Sequence, residues 1–253
     1  MGTVISFGIQ KGGVGKTTTA GITSYLLSKK AKVLAVDFDS QGNLTYFLTQ
    51  KNIYEFTDQS VLEAVKEKNA KPYIYKINEQ LDILPAEDLL ATFSRYLYKD
   101  YQGNKSTILK ETLEPIKPQY DYLIIDLPPN LGDQTINGLA ASDYAVVLLQ
   151  SEPFALDALD RYLETLKLVH QNINPNLQLA GILPTMLDSR ATIDTAIIEK
   201  AQRDYEDVVF NTVVRRRSRI KEFSIEGITE KTKADKEAIS YYVSFVKELI
   251  DRV

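Results

Sequence analysis

The run Gln10-Lys11-Gly12-Gly13-Val14-Gly15-Lys16-Thr17-Thr18-Thr19 constrains this chain more than any other segment. It follows an apolar stretch, Val4-Ile9, that reads as a buried strand, and it opens a segment with helical periodicity over about residues 16–30. Three glycines let backbone N–H groups turn inward, while the helix starting at the loop aims its positive end at the same point. A loop of this kind cradles phosphate. Lys16 can reach the β- and γ-phosphates of a nucleotide, and the Thr17 hydroxyl can ligate Mg²⁺. Gly12, Gly13, Val14, Gly15, Lys16, Thr17 and Thr18 are therefore assigned to phosphate binding. The plain form of the motif has glycine five residues before Gly15, where this chain has Gln10; in its place a second lysine, Lys11, heads the loop.

Further apolar runs bounded by turn residues occur at Val33-Val36, Leu81-Leu84, Tyr122-Ile125, Ala145-Leu149 and Leu179-Leu183, with a later one at Val208-Val214. Near-continuous apolar runs suit strands covered on both faces. Helical periodicity fills the intervals at about 59–68, 105–114, 155–170, 191–204 and 235–252. The alternation predicts an α/β fold, a doubly wound, mostly parallel twisted sheet flanked by helices, in one domain spanning 1–253. The regions 50–80 and 86–104, polar and tyrosine-rich, are expected to contain helix. Two strands end in acids: Val36 runs into Asp37-Phe38-Asp39, and Ile125 runs into Asp126. Ligands of open α/β sheets bind at the carboxyl ends of strands, so Asp37, Asp39 and Asp126 can converge on the loop, with Asp126 holding Mg²⁺ through water.

Composition narrows the chemistry. With no cysteine, a disulfide framework, a thiolate zinc site, a thiol nucleophile and a cysteine-ligated cluster are all excluded, and the single histidine, His170, excludes a multi-histidine metal centre. Carboxylates, lysines, hydroxyls, backbone amides and hard cations remain. The 253 residues are 44% hydrophobic and 25% charged, which suits a folded globular protein, and Met1-Phe7 lacks the pattern of a signal peptide, so cytoplasmic residence is expected. The formal charge is −4, yet Arg215, Arg216, Arg217, Arg219 and Lys221 place five positive charges in seven residues. Such a segment faces solvent or a polyanion. Arg95-Tyr101 reads as a helix surface with half-buried tyrosines, and the last helix, with Ile239, Tyr242, Val243, Val246, Leu249, Ile250 and Val253 at three- and four-residue spacings, reads as packing on the sheet.

The Lys-Gly-Gly-Val-Gly-Lys-Thr stretch resembles the deviant Walker A motif of the MinD/ParA group of P-loop ATPases. Asp37-Phe38-Asp39-Ser40-Gln41-Gly42-Asn43 and Asp126-Leu127-Pro128-Pro129 resemble the ParA-type partition ATPases in particular, as do segments around Leu81-Ala86, Gln150-Glu152 and Gly181-Arg190. The resemblance implies ATP and Mg²⁺ as cofactors and Lys11, Lys16 and Asp39 as catalytic residues. Asp39 would orient the attacking water, and Lys11 would reach the nucleotide of a second subunit in an ATP-dependent homodimer. Thr17, Asp37 and Asp126 would serve the metal, and Met186 and Arg216 would lie beside the nucleotide. Arg190, Arg215, Arg216, Arg217, Arg219 and Lys221 would bind DNA without sequence preference, and a ParB-like or other cargo adaptor would stimulate slow hydrolysis. The chain departs from the pattern at Ser40, Leu127 and Arg215-Arg219, where proline, a small residue and Pro-Arg-Asn-x-Arg are usual. Two other readings share the loop: a metabolic ATP-dependent ligase, and a MinD-like membrane switch, which would need a basic C-terminal anchor that residues 235–253 do not supply.

Overall fold

The computed structural model describes residues 2–150, 155–187 and 192–253. In chain order its elements are β1 (Thr3–Gly8), α1 (Lys16–Leu27), β2 (Val33–Asp37), α2 (Asn43–Thr49), α3 (Val61–Glu67), β3 (Tyr75–Lys76), β4 (Leu81–Leu84) and α4 (Phe93–Lys99). The second half adds α5 (Ile108–Leu113), β5 (Tyr122–Asp126), α6 (Asp133–Ala141), β6 (Tyr144–Gln150), α7 (Ala155–Asn172), β7 (Gln178–Leu187), α8 (Thr192–Tyr205), β8 (Val214–Arg215), α9 (Ser218–Glu226) and α10 (Lys233–Ile250). Short 3₁₀ turns fill several connections.

The strands form one sheet in the order β3-β4-β2-β5-β1-β6-β7-β8, parallel throughout except for the β3–β4 pair. Valine, isoleucine and leucine dominate the inner strands, every residue of β2 and β4 is buried, and helices cover the sheet. Helices α1, α2, α9 and α10 pack against one another, and α4, α5, α6 and α7 make a second layer. One contiguous apolar core runs from Val4 to Leu249. The expected doubly wound sheet is the observed one. Its parallel register fixes the site: Asp37 is the neighbour of Asp126 across the β2–β5 pair, and Asp126 is the neighbour of Phe7 across β5–β1. The first glycine loop and both acidic strand ends therefore share one edge.

The later strand expected over Val208-Val214 is reduced to β8 and an isolated bridge between Ile182 and Val209, with Glu206–Val208 a 3₁₀ turn. The reason is a competing acceptor: the amides of Asn211 and Thr212 donate to the Glu248 carboxylate at 2.8 and 3.0 Å, leaving no ladder to extend. Helices α2, α6 and α9 were not visible as periodic patterns because each spans only two or so turns. Of the expected helix surface Arg95-Tyr101, residues 95–99 are helical and Tyr101 lies past the end; Tyr96 is half-buried, Tyr98 is exposed and hydrogen-bonds Asp133, and Tyr101 is buried. His170 closes α7 with a ring nitrogen 2.9 Å from the Leu177 carbonyl. The last helix, α10, starts with a Thr232/Asp235 capping box and buries Ile239, Tyr242, Val246 and Leu249 as expected, whereas Val243 is only half-buried, Ile250 is exposed and Val253 lies past the end of the helix. Among the described residues no helix is long and apolar enough to cross a membrane.

Tyr162 of α7 is fully buried, and its hydroxyl has no hydrogen-bond partner among the described residues. Removing that oxygen relieves a desolvated donor without opening a cavity. Tyr162→Phe is expected to raise the unfolding free energy by about 1 kcal/mol, read from urea denaturation; a loss of stability would show that the hydroxyl has a partner in solution.

Candidate functional site

The glycine loop follows β1 directly and enters α1 at Lys16. Gly15 takes φ of 84°, in the left-handed region that favours glycine, and a Cβ there would displace the tip of Met186, whose Cε would lie 2.5 Å away. From β7, the Thr185 hydroxyl donates to the Val14 carbonyl at 2.9 Å and pins the loop from beneath. Lys16 is buried, and its ammonium donates to the Lys11 carbonyl at 2.9 Å, curling across the loop it closes. Burial lowers its pKa from the ordinary lysine value, with the negative charges of Asp126 and Asp39 opposing the shift. Lys11 itself is half-buried at the head of the loop.

Two carboxylates, Asp126 and Asp39, act on this ammonium, and a third, Asp37, is the cross-strand neighbour of Asp126. Asp37 is fully buried, and burial pushes it up to about 7 although Thr45 donates to it from both its amide (2.7 Å) and its hydroxyl (2.8 Å). Asp126 is also fully buried, neither of its oxygens has a hydrogen-bond partner among the described residues, and burial followed by the charge of Asp37 raises it well above the carboxylate range. The Lys16 ammonium and the nearby Thr17 hydroxyl oppose that shift. Asp39 is nearly buried at the wall of the cleft, where its carboxylate accepts the Gln41 amide at 3.1 Å and its carbonyl accepts the Gly42 amide at 3.0 Å. Gly42, at φ of 60°, turns the chain into α2, and a side chain there would strike Ile53.

Above the loop lies an open cleft of about 440 Å³, walled by residues 12–18, Asp39, Gln41, Asn43 and Met186. The expected phosphate residues are thus together, and Asp39 and Met186 join them. Met186 sits at a register shift in the β7–β8 pair with φ of 58°, an irregular conformation for methionine that aims its side chain across the loop. A smaller recess of about 150 Å³ continues from the cleft past Thr18 and Met186 to Arg215, Arg216, Arg217 and Lys221. This places Arg216 beside the cleft as the sequence reading has it. The cleft also uses Asn43, Tyr46, Pro129 and Ser224. Asn43 and Pro129 stand inside motifs already singled out, whereas nothing in the sequence marks Tyr46 or Ser224.

The basic segment divides. Arg216, Arg217 and Lys221 are exposed; Arg215 lies half-buried in β8. Arg217 donates to the Tyr241 hydroxyl at 2.9 Å. Arg219 does not belong with them: its guanidinium is held by Asp235 at 2.6 Å, by Glu226 at 2.9 Å and by Glu222. Asp235 is fully buried at the start of α10, so Arg219 neutralises an interior carboxylate and locks α9 to α10. Expected as a DNA contact, it is already paired with three carboxylates in this structure. Arg190 lies outside the described residues.

A hard dication suits the acid cluster. Asp126 and Asp39 act on the Lys16 ammonium, Asp37 stands beside Asp126, and two buried oxygens on Asp126 lack partners among the described residues. No group of three or more metal-ligating side chains closes on a single point among the described residues. That pattern matches Mg²⁺, which is held by one or two protein oxygens together with phosphates and waters.

A family model described as an AAA domain matches residues 2–179. The sporulation initiation inhibitor protein Soj of Bacillus subtilis (strain 168) is 37% identical over 236 residues, covering 90% of this chain and 89% of Soj. The chain belongs to the ParA-type ATPases of the MinD/ParA family. This ParA-type chain is also similar to a solved structure of a cobyrinic acid a,c-diamide synthase from Mycobacterium smegmatis with bound ADP and magnesium, with a TM-score of 0.83, 33% identity and coverage of 99% and 94% of the two chains. A putative plasmid partition protein from Borrelia burgdorferi B31 bound to AMPPNP superposes with a TM-score of 0.84 at 25% identity over the whole of both chains.

The buried acids give a pH signature. Carboxyls held above their unfolded values keep protons in the folded state that the unfolded chain releases, so folding loses stability as pH rises from about 4 through about 7. Without nucleotide, the ParA-type chain is expected to show a higher urea midpoint at pH 5.5 than at pH 8. Asp126→Asn removes a buried unpaired charge and is expected to add about 2 kcal/mol at pH 8 while flattening the slope. A variant less stable than wild type at pH 8 would show that the carboxylate is neutralised by some other means.

Proposed function

We propose that the chain acts as a single ATPase domain over residues 1–253 that binds ATP with Mg²⁺, pairs with a second copy in the ATP state, and in that state binds DNA without sequence preference. Hydrolysis, slow until a cargo adaptor of the ParB type stimulates it, would return the chain to a form that leaves DNA. The chain would then be cytoplasmic and associated with the nucleoid. ATP, Mg²⁺ and partition enter from the family and from the ligands named for its solved relatives.

The residues take distinct parts. Loop amides from Gly12 to Thr18 and the Lys16 ammonium would hold the phosphates. Bound through Thr17, Asp126 and Asp37, Mg²⁺ would supply charge neutralisation at the phosphates. Asp39, at the wall of the cleft, would orient the attacking water, and Lys11 would reach the nucleotide of the second copy. Met186 and Arg216 would flank the nucleoside in the recess that leads away from the loop. Arg215, Arg216, Arg217 and Lys221, with Arg190, would meet DNA phosphates.

The observation that carries this reading is the position of the basic segment at the edge of the nucleotide cleft, where it shares Thr18 and Met186 with the loop. A second link supports it: α2 bonds Asp37 near its start, and the side chain of Gln50, which follows its last turn, donates from Nε2 to the Phe223 carbonyl of α9 at 3.5 Å. Changes at the acid cluster therefore have a short route to the cations. The likeness to a protein named as a cobyrinic acid a,c-diamide synthase favours, as a second reading, an ATP-dependent amide-forming enzyme, for which the basic segment would have no role.

The test is retention on duplex DNA with ATP, ADP or no nucleotide. Retention is expected with ATP alone and should fall with salt at a slope of about −3 for three phosphate contacts in all. Replacing Arg216 and Lys221 by Glu should abolish it without lowering the thermal midpoint, whereas Arg219→Ala should lower the midpoint. Nucleotide binding with no DNA retention in any state, and hydrolysis that instead follows a metabolite, would replace this reading with the second one.

A further inference from the structure

Thr45 is fully buried in the first turn of α2, and its hydroxyl stands between two groups of fixed polarity. The Ala86 amide can only donate, and it reaches Oγ1 at 2.9 Å. On the other side lies Asp37 Oδ2, an acceptor already because it takes the Thr45 amide, and it stands 2.8 Å from the same hydroxyl oxygen. The direction of the hydroxyl proton is therefore set, toward Asp37. The Thr45 amide donates to that same Oδ2 at 2.7 Å, whereas Oδ1 accepts one longer bond, from the Asp39 amide at 3.3 Å. One oxygen is saturated and the other retains a lone pair.

A carboxylate turns readily about its last torsion, whose wells are broad and roughly two-fold. Two donors on one oxygen remove that freedom, and the Ala86 amide keeps the hydroxyl from turning away. Asp37 is also the direct cross-strand neighbour of Asp126, so its rotation decides how the two acids share a cation. We propose that Thr45 is a positioning residue for the Mg²⁺–nucleotide site: by saturating Oδ2 it fixes the Asp37 carboxylate with Oδ1 turned to the metal. This rests on the assignment of the cleft to a magnesium–nucleotide complex. The role requires a hydroxyl, not merely the volume of threonine, because valine offers Asp37 no donor and leaves the Ala86 amide unpaired.

The test uses a fluorescent N-methylanthraniloyl-ATP as probe, with binding followed as Mg²⁺ is added from an EDTA baseline. Wild type and Thr45→Ser should reach half-saturation at Mg²⁺ concentrations within twofold of each other. Thr45→Val should need at least tenfold more Mg²⁺ while binding the probe as wild type does in EDTA, and a thermal melt confirms that it is folded. If valine does not fold, Thr45→Cys, a weak donor of similar size, should lie between serine and tenfold. A Mg²⁺ requirement unchanged in valine or cysteine, or a serine variant as impaired as valine, would overturn the role of the hydroxyl. A wild-type protein indifferent to Mg²⁺ would remove the assignment of the cleft itself, and the inference with it.

Discussion

Two carboxylates, Asp37 and Asp126, end adjacent parallel strands in direct register, and both are fully buried. At a strand spacing of about 4.8 Å and an effective dielectric near 20, two ionised carboxylates repel by about 3 kcal/mol. No core tolerates that pair for packing alone, since leucine or valine at either position would complete the sheet. The neighbourhood answers the two acids unequally. Asp37 receives three hydrogen bonds, from Asp39 and twice from Thr45, while Asp126 receives none from the described residues and is left with the field of Lys16 and the nearby Thr17 hydroxyl. A cation would complete the arrangement, and a phosphate on the loop one strand away would be the anion that brings it.

The remainder of the molecule holds those elements at one edge. Burial of both sheet faces sets the strands, the parallel order brings β1 between β5 and β6, and the loop after β1 then opens beside Asp126. Met186 closes the far side through a backbone irregularity, and α9 extends that side into exposed cations. Arg219 anchors α9 by clasping Asp235, which separates the cation that builds the segment from those that can meet a partner. The helix α2 touches both the acid cluster and α9, so site and surface share a mechanical neighbour.

Much of this was legible in the sequence because the informative features are local. The strand, glycine loop and helix start occupy one short run, and Asp37, Asp39 and Asp126 each follow an apolar stretch immediately. The doubly wound sheet followed from the alternation of apolar runs with helical ones. What escaped depends on contacts distant in the chain. The extent of the strand near Val214 was decided by Glu248, the fate of Arg219 by Asp235, and the orientation of Asp37 by Thr45 and Ala86. Composition marks five cations in a row of seven but cannot say which one is neutralised from another helix. Tyr46 and Ser224 reach the cleft only because α2 and α9 meet there.

Nucleotide is, in the proposed function, the link between two copies of the chain, with the acid cluster sensing the γ-phosphate and the basic segment reporting the result. Mass in solution, read by light scattering with Mg²⁺ and either ATP or ADP and without DNA, tests this most directly. A doubling of mass with ATP, and a monomer with ADP, is the predicted result. The same mass in both nucleotides, with each of them bound, would contradict it.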